Sequence, residues 1–188
     1  GEAMRAIVPM AVGAVLVLGP WLYASERMVG EPMLNSNAEF NLYLGNNPAA
    51  TGTFVSIAET PAGPHWEAMR AQLGEAGSAH WLGDQARSWM AANPDEAARL
   101  ALVKLGLFWQ PNVPDAADFA ASRAVAGVRL GDVVLYLVVL AAAVAALWRS
   151  PIAPAEKLAI IALLGGFWAV HAAAYVMPRY RDPIAPVL

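Results

Sequence analysis

The sequence predicts an all-α, polytopic membrane protein with about three transmembrane helices and a helical extracytoplasmic loop subdomain. Two observations predict it. Of 188 residues, 58% are hydrophobic and only 14% charged, whereas soluble domains carry roughly 45–50% and about 25%. The apolar residues also gather into three nearly charge-free blocks separated by polar stretches, and an excess distributed in that way belongs in lipid. The same composition excludes other classes. A net charge of −3 without a basic cluster lacks the footprint that nucleic acid requires, so no nucleic-acid partner is expected. The absence of cysteine rules out disulfides and thiolate metal sites.

Residues 1–24 form the first predicted span. Its core, AIVPMAVGAVLVLGPWLY at 6–23, is free of charge, with Arg5 before it and Glu26 and Arg27 after, and is long enough for a hydrocarbon layer about 30 Å thick. A signal peptide is the competing reading. The length of the run, the interfacial pair Trp21 and Tyr23, and the lack of a clean small-x-small cleavage pattern weigh against it. Pro9 and Pro20 are expected to kink the helix or mark its end.

Residues 25–128 read as the loop subdomain. Its first part, 28–64, is dense in Asn, Gly, Pro and Thr and is expected to be irregular chain, with turns at Gly45-Asn46-Asn47-Pro48. Short helices are expected at 64–73, 78–92 and 94–109. The last is the best marked: Asn93 suits the N-cap, Pro94 the first helical position, and Asp95 and Glu96 the first turn, with Glu96 at capping-box spacing. Ala97, Leu100, Ala101, Leu105, Phe108 and Trp109 recur at helical spacing, with Arg99 and Lys104 placed elsewhere on the surface. A helix of this kind can lie along a bilayer surface.

Residues 129–149 form the second span, 150–157 a short cytoplasmic loop and 158–177 the third span, whose one ionisable residue is His171. Residues 178–188, PRYRDPIAPVL, follow, and their apolar close reads as the start of a truncated next span. Arg149 and Lys157 in the short connection, with Arg5 on the same side, place that side in the cytoplasm and the long loop outside it.

Two segments carry the chemistry. NSNAEFNLYLGNNPAATG at 35–52 offers the amides of Asn41, Asn46 and Asn47, with Tyr43, Thr51 and the backbone around Gly45 and Gly52, to a polar ligand at the membrane surface. The plainer reading is a turn-rich loop whose asparagines satisfy their own backbone. PRYRDPIAP at 178–186 sets the guanidiniums of Arg179 and Arg181 on either side of Tyr180. Such a pair can hold a phosphate bidentately at headgroup depth, or contact lipid headgroups and Asp182. His171, an ionisable group inside a span, is either functional or bonded to neighbouring backbone.

The order of these features resembles bacterial membrane glycosyltransferases of the C-type superfamily, in the protein-mannosyltransferase and aminoarabinose-transferase-like group. The resemblance runs through a span ending in Pro20-Trp21, LNSNAEFNLYLGNNPAATG, LALVKLGLFW at 100–109, and a span with His171 followed by RYRDPIAP. It covers nearly the whole chain, as that group's C-terminal third. It implies an enzyme of the inner (plasma) membrane of the cell envelope that moves a sugar from a polyprenyl-phosphate donor to a lipid, glycan or protein acceptor on the extracytoplasmic face. It also implies substrate-binding roles for Tyr43, Asn46 and Asn47 in the NNP loop, for Arg179, Tyr180 and Arg181 near the donor phosphate, and for His171 shortly before them.

Two positions depart from the group's pattern, Ala38-Glu39 where a Gly pair is usual and Asp182 where an apolar residue is usual. They bear on loop geometry and donor choice. The carboxylate taken as catalytic base in that group lies far toward its N-terminus and has no counterpart here. No catalytic residue is therefore assigned, and this chain alone is not expected to turn over substrate without the N-terminal part of the same protein. What it could supply is cationic stabilisation of the leaving phosphate.

No cofactor is implied beyond the lipid-linked donor, which is substrate, and membrane lipids are the other expected partners. His65 and His80, with Glu67 and Asp84 nearby, form no two-histidine helical pair, so no metal site is assigned. Glu67, Glu75 and Asp84 read as solvated surface. Trp66, Trp81, Trp89 and Trp109 read as packing or interfacial anchors, with acceptor contact the lesser reading. A different class, a non-enzymatic accessory subunit or transporter fragment with a partner-binding loop, remains the alternative.

Overall fold

Helices account for every regular element in the computed structural model, which describes residues 2–177 and 180. They run α1 (Glu2–Val29), α2 (Asn37–Gly45), a short 3-10 turn (Ile57–Glu59), α3 (Gly63–Ala92), α4 (Pro94–Trp109), α5 (Ala116–Ala121), α6 (Arg123–Arg149) and α7 (Pro154–Ala173). Among the described residues, three stretches are long and apolar enough to cross a membrane: Ile7–Val29, Arg123–Arg149 and Pro154–Ala173. Their side chains are largely exposed, Leu16 at 70% and Val17 at 74% among them. At about 1.5 Å per residue, the 27 residues of α6 exceed the hydrocarbon thickness of about 30 Å.

The chain packs as two units. One takes in residues through 49 together with 55–92; the other is 50–54 with everything from 93 onward. In the first, α2 lies along α3. Tyr43 and Leu44 from α2, with Ala79, Leu82 and Ala86 at helical spacing on α3, are buried, and a fully buried leucine contributes about 1.5–3 kcal/mol. The Tyr43 hydroxyl accepts from the Ala62 N–H at 3.0 Å. After α1 the chain folds back on it: the Trp21 indole donates to the carbonyls of Met33 and Leu34, and the buried Ser25 hydroxyl accepts from the Met33 N–H at 2.9 Å.

Helix α3 contains an elbow. Gly74 has φ +69° and ψ −171°, a backbone conformation that side chains disfavour, and it separates helical stretches at 63–73 and 75–92. The sequence places two helices here with a gap at 74–77; the structure closes that gap to one residue.

In the second unit α4 packs on α7. Leu100, Lys104 and Phe108, each four residues apart, are all 1% exposed. The C-terminal end of α4 is tied down by aromatic side chains of the long helices: Trp168 Nε1 donates to the Leu105 carbonyl and the Tyr136 hydroxyl to that of Trp109, both at 3.1 Å. The Tyr136 bond answers a carbonyl that the helix end leaves open. Asp115 caps α5 by accepting from the N–H groups of Ala117 and Asp118, and Asp118 in turn pairs with Arg129 of α6 at 2.5 Å.

Several expectations need correction. Residues 37–45 are helical, because burial of Tyr43 and Leu44 on α3 outweighs the local turn preference of the asparagines. Neither Pro9 nor Pro20 marks the end of α1, which runs through both. Helix α7 stops at Ala173, four residues before the expected 177, where the Ala174 N–H bonds the His171 carbonyl. Glu96 pairs with Arg99. Lys104, expected on the surface, lies on the buried stripe of α4.

Candidate functional site

The end of α7 and residues 50–54 meet over α4 in the second unit. Residues 50–54, the tail of the asparagine-rich segment and the two residues after it, run along α4 with Gly52 at φ +96°. A Cβ on Gly52 would sit 3.0 Å from Leu107 Cδ1 and 3.2 Å from Val103 Cγ1, so only glycine lets the backbone approach this closely. That approach aligns the Gly52 carbonyl to accept from the Val176 N–H at 2.9 Å. Phe54 meets Tyr175 edge to face, with ring centroids 5.4 Å apart. Thr51 and Thr53 stand exposed, their hydroxyls 3.0 Å apart.

Tyr180, the centre of the arginine-rich element, closes this cluster. Its ring lies 5.0 Å from His171 and 5.9 Å from Tyr175. His171 also contacts Phe167 at 4.3 Å and Phe108 at 6.0 Å. Its Nδ1 is 2.8 Å from the Phe167 carbonyl. A carbonyl only accepts, so Nδ1 carries the proton and, in the neutral ring, Nε2 is the acceptor. Val176 and Phe108 are the buried centre. Arg179 and Arg181 lie outside the described residues.

Beneath the Gly52 backbone runs the side chain of Lys104, its Cγ 3.5 Å from where a Cβ on Gly52 would stand. Burial pushes this ammonium down to about 8, because removal from water disfavours the charged form. Sequence reasoning missed Lys104. The available signal was the four-residue step from Leu100 to Lys104 to Phe108, which puts the lysine on the inner stripe.

Tyr43, Asn46 and Asn47 belong to the first unit and are buried there. The Asn46 amide donates to the Leu42 carbonyl at 2.8 Å, and the Asn47 amide to those of Tyr43 and Leu44 at 2.8 and 3.3 Å. Asn47 Oδ1 accepts from the Ala49 N–H at 2.8 Å. Together they terminate α2 and turn the chain toward residues 50–54.

A second polar cluster surrounds His80 in the first unit. Its Nε2 lies 2.5 Å from Glu31 and its Nδ1 2.6 Å from Glu39, while Arg87 bridges Glu39 and Asp84 at 3.0 and 2.8 Å. The Glu31 hydrogen bond raises the His80 pKa, and Glu39 adds to it. Among the described residues no three His, Asp or Glu side chains converge as a metal site. No family model matches this chain, and no curated protein or solved structure is significantly similar to it.

Proposed function

We propose that this chain is the C-terminal part of a membrane glycosyltransferase that takes a sugar from a polyprenyl-phosphate donor at the extracytoplasmic face. One observation carries the reading. Two segments more than a hundred residues apart in sequence, the tail of NNPAATG and the centre of RYR, pack into one cluster where a membrane-length helix ends, through Gly52, Phe54, Tyr175 and Tyr180. A lipid-linked phosphate sits at the depth where such a helix leaves the hydrocarbon.

In this reading Arg179 and Arg181 hold the donor phosphate as a bidentate pair. Tyr180 and His171 set the element's register on the helix end, and Lys104 adds positive charge from below. Tyr43, Asn46 and Asn47 order the loop that delivers residues 50–54. Cations so arranged stabilise a departing phosphate, and the base that deprotonates the acceptor comes from elsewhere in the protein.

The test is polyprenyl-phosphate capture by purified protein, together with sugar transfer by the longer protein. Arg179→Ala and Arg181→Ala should each lower both by at least about tenfold, the loss of one charge-assisted contact worth about 1.5–3 kcal/mol, with membrane insertion intact. Unchanged capture in both variants would overturn the reading.

A further inference from the structure

The elbow in α3 builds a pocket in the first unit, well separated in sequence from the arginine-rich element. It has a volume of about 260 Å³ and is lined by Ser36, Asn37 and Phe40 from the start of α2 and by Trp66, Arg70 and Glu75 from α3. Trp66 and Arg70 are one helical turn apart and share a face. Arg70 and Glu75, five residues apart, would diverge by about 140° on an unbroken helix. The break at Gly74, with its φ of +69°, turns the second stretch so that both border one concavity. The Ser36 hydroxyl donates to the Glu75 carboxylate and ties the two walls.

The lining selects a class of ligand. The volume lies just under the range of about 300–1,000 Å³ usual for drug-sized ligands, which suits a single ring. One wall is aromatic, with Phe40 and Trp66 tilted by 53° at 5.5 Å and both half-buried; such rings pack against C–H faces. The other wall mixes a donor fork on Arg70, an acceptor on Glu75, and an amide on Asn37 that does both. A phosphate would meet Glu75 as well as Arg70, and like-charge contact penalises it. A purely apolar ligand would leave the polar wall desolvated and unanswered. A pyranose ring has one apolar face and a rim of hydroxyls that both donate and accept, and it matches both walls.

We propose that this pocket binds one neutral saccharide ring, as a subsite for the acceptor glycan. Its assignment to the acceptor rests on the glycosyltransferase reading; its chemistry does not. The test uses the full chain in lipid nanodiscs, which avoids glycoside detergents. Saturation-transfer NMR is recorded with the methyl pyranosides of glucose, galactose, mannose and N-acetylglucosamine, and with inorganic phosphate as competitor. At least one pyranoside is expected to bind in the millimolar range, without displacement by phosphate. Trp66→Ala should abolish the signal. Arg70→Ala and Asn37→Ala, which truncate exposed side chains and leave helix content unchanged, should weaken binding about fivefold or more.

Absence of saturation transfer from all four sugars would overturn the proposal. So would displacement by phosphate, or unchanged affinity in both Arg70→Ala and Asn37→Ala. Polyprenyl-phosphate capture reports separately: its loss with saccharide binding retained would sink the transferase reading and leave the pocket standing, and the reverse result would sink the pocket alone.

Discussion

At the scale of single residues, two titratable groups tie stability to pH in opposite directions. His80 donates from both ring nitrogens to carboxylates, so folding favours the imidazolium and raises its pKa, first through Glu31. Its contribution is complete below the unfolded value of about 6.5 and is lost as pH rises through the folded value. Arg87 and Asp84 stand beside the same carboxylate network, and the Arg87 guanidinium stays charged throughout that window. Thermal unfolding of the wild type should show this loss above about pH 6.5, and His80→Gln should flatten it. Lys104 works the other way. Folding lowers its pKa from 10.5 to about 8, so the unfolded chain binds more protons between those values. Stability should therefore rise with pH across that interval, by at most about 3 kcal/mol. Lys104→Met should abolish the rise; a slope unchanged in that variant would exclude the lysine as its source. Neither group advertises itself in the sequence. The partners of His80 lie 41 and 49 residues away along the chain, and a lysine is ordinarily read as surface.

At the scale of elements, local signals and burial divide the fold between them. The start of α4 at Pro94 was legible because proline at the first helical position, followed by Asp95 and Glu96, acts through local geometry and the helix dipole. Helix α2 was not legible: asparagines crowd its sequence, and what holds it is the seat of Tyr43 and Leu44 on α3. The same contact makes Leu82, fully buried on α3, the keystone of that pair. Leu82→Ala should cost about 2–5 kcal/mol, read as a lowered midpoint in chemical denaturation, while surface changes on α3 such as Gln85→Ala should stay within about 0.5 kcal/mol. Of the candidate site, the plainer reading of Asn46 and Asn47 as backbone partners matches their hydrogen bonds. The packing of Gly52 on α4 escaped, because a close approach between distant segments leaves no periodicity to read.

At the scale of the whole molecule, three membrane-length helices were legible from charge-free runs alone, since lipid imposes length and composition without regard to neighbours. Their ends were less so, because α6 and α1 continue as helices beyond the apolar stretch. An arginine at Val138, mid-way along α6 and 59% exposed, should cost about 2.5–3.5 kcal/mol of insertion; a glycosylation-mapping assay would read it as a drop in the inserted fraction, and Val138→Leu would leave insertion unchanged. The five residues 50–54 have a further effect on this scale. They belong to the second unit while both their flanks belong to the first. A gene divided at position 93 would strip α4 of its glycine cover and Val176 of its acceptor. The Gly52 backbone therefore acts like a stitch within the second unit, holding the end of α7 against α4.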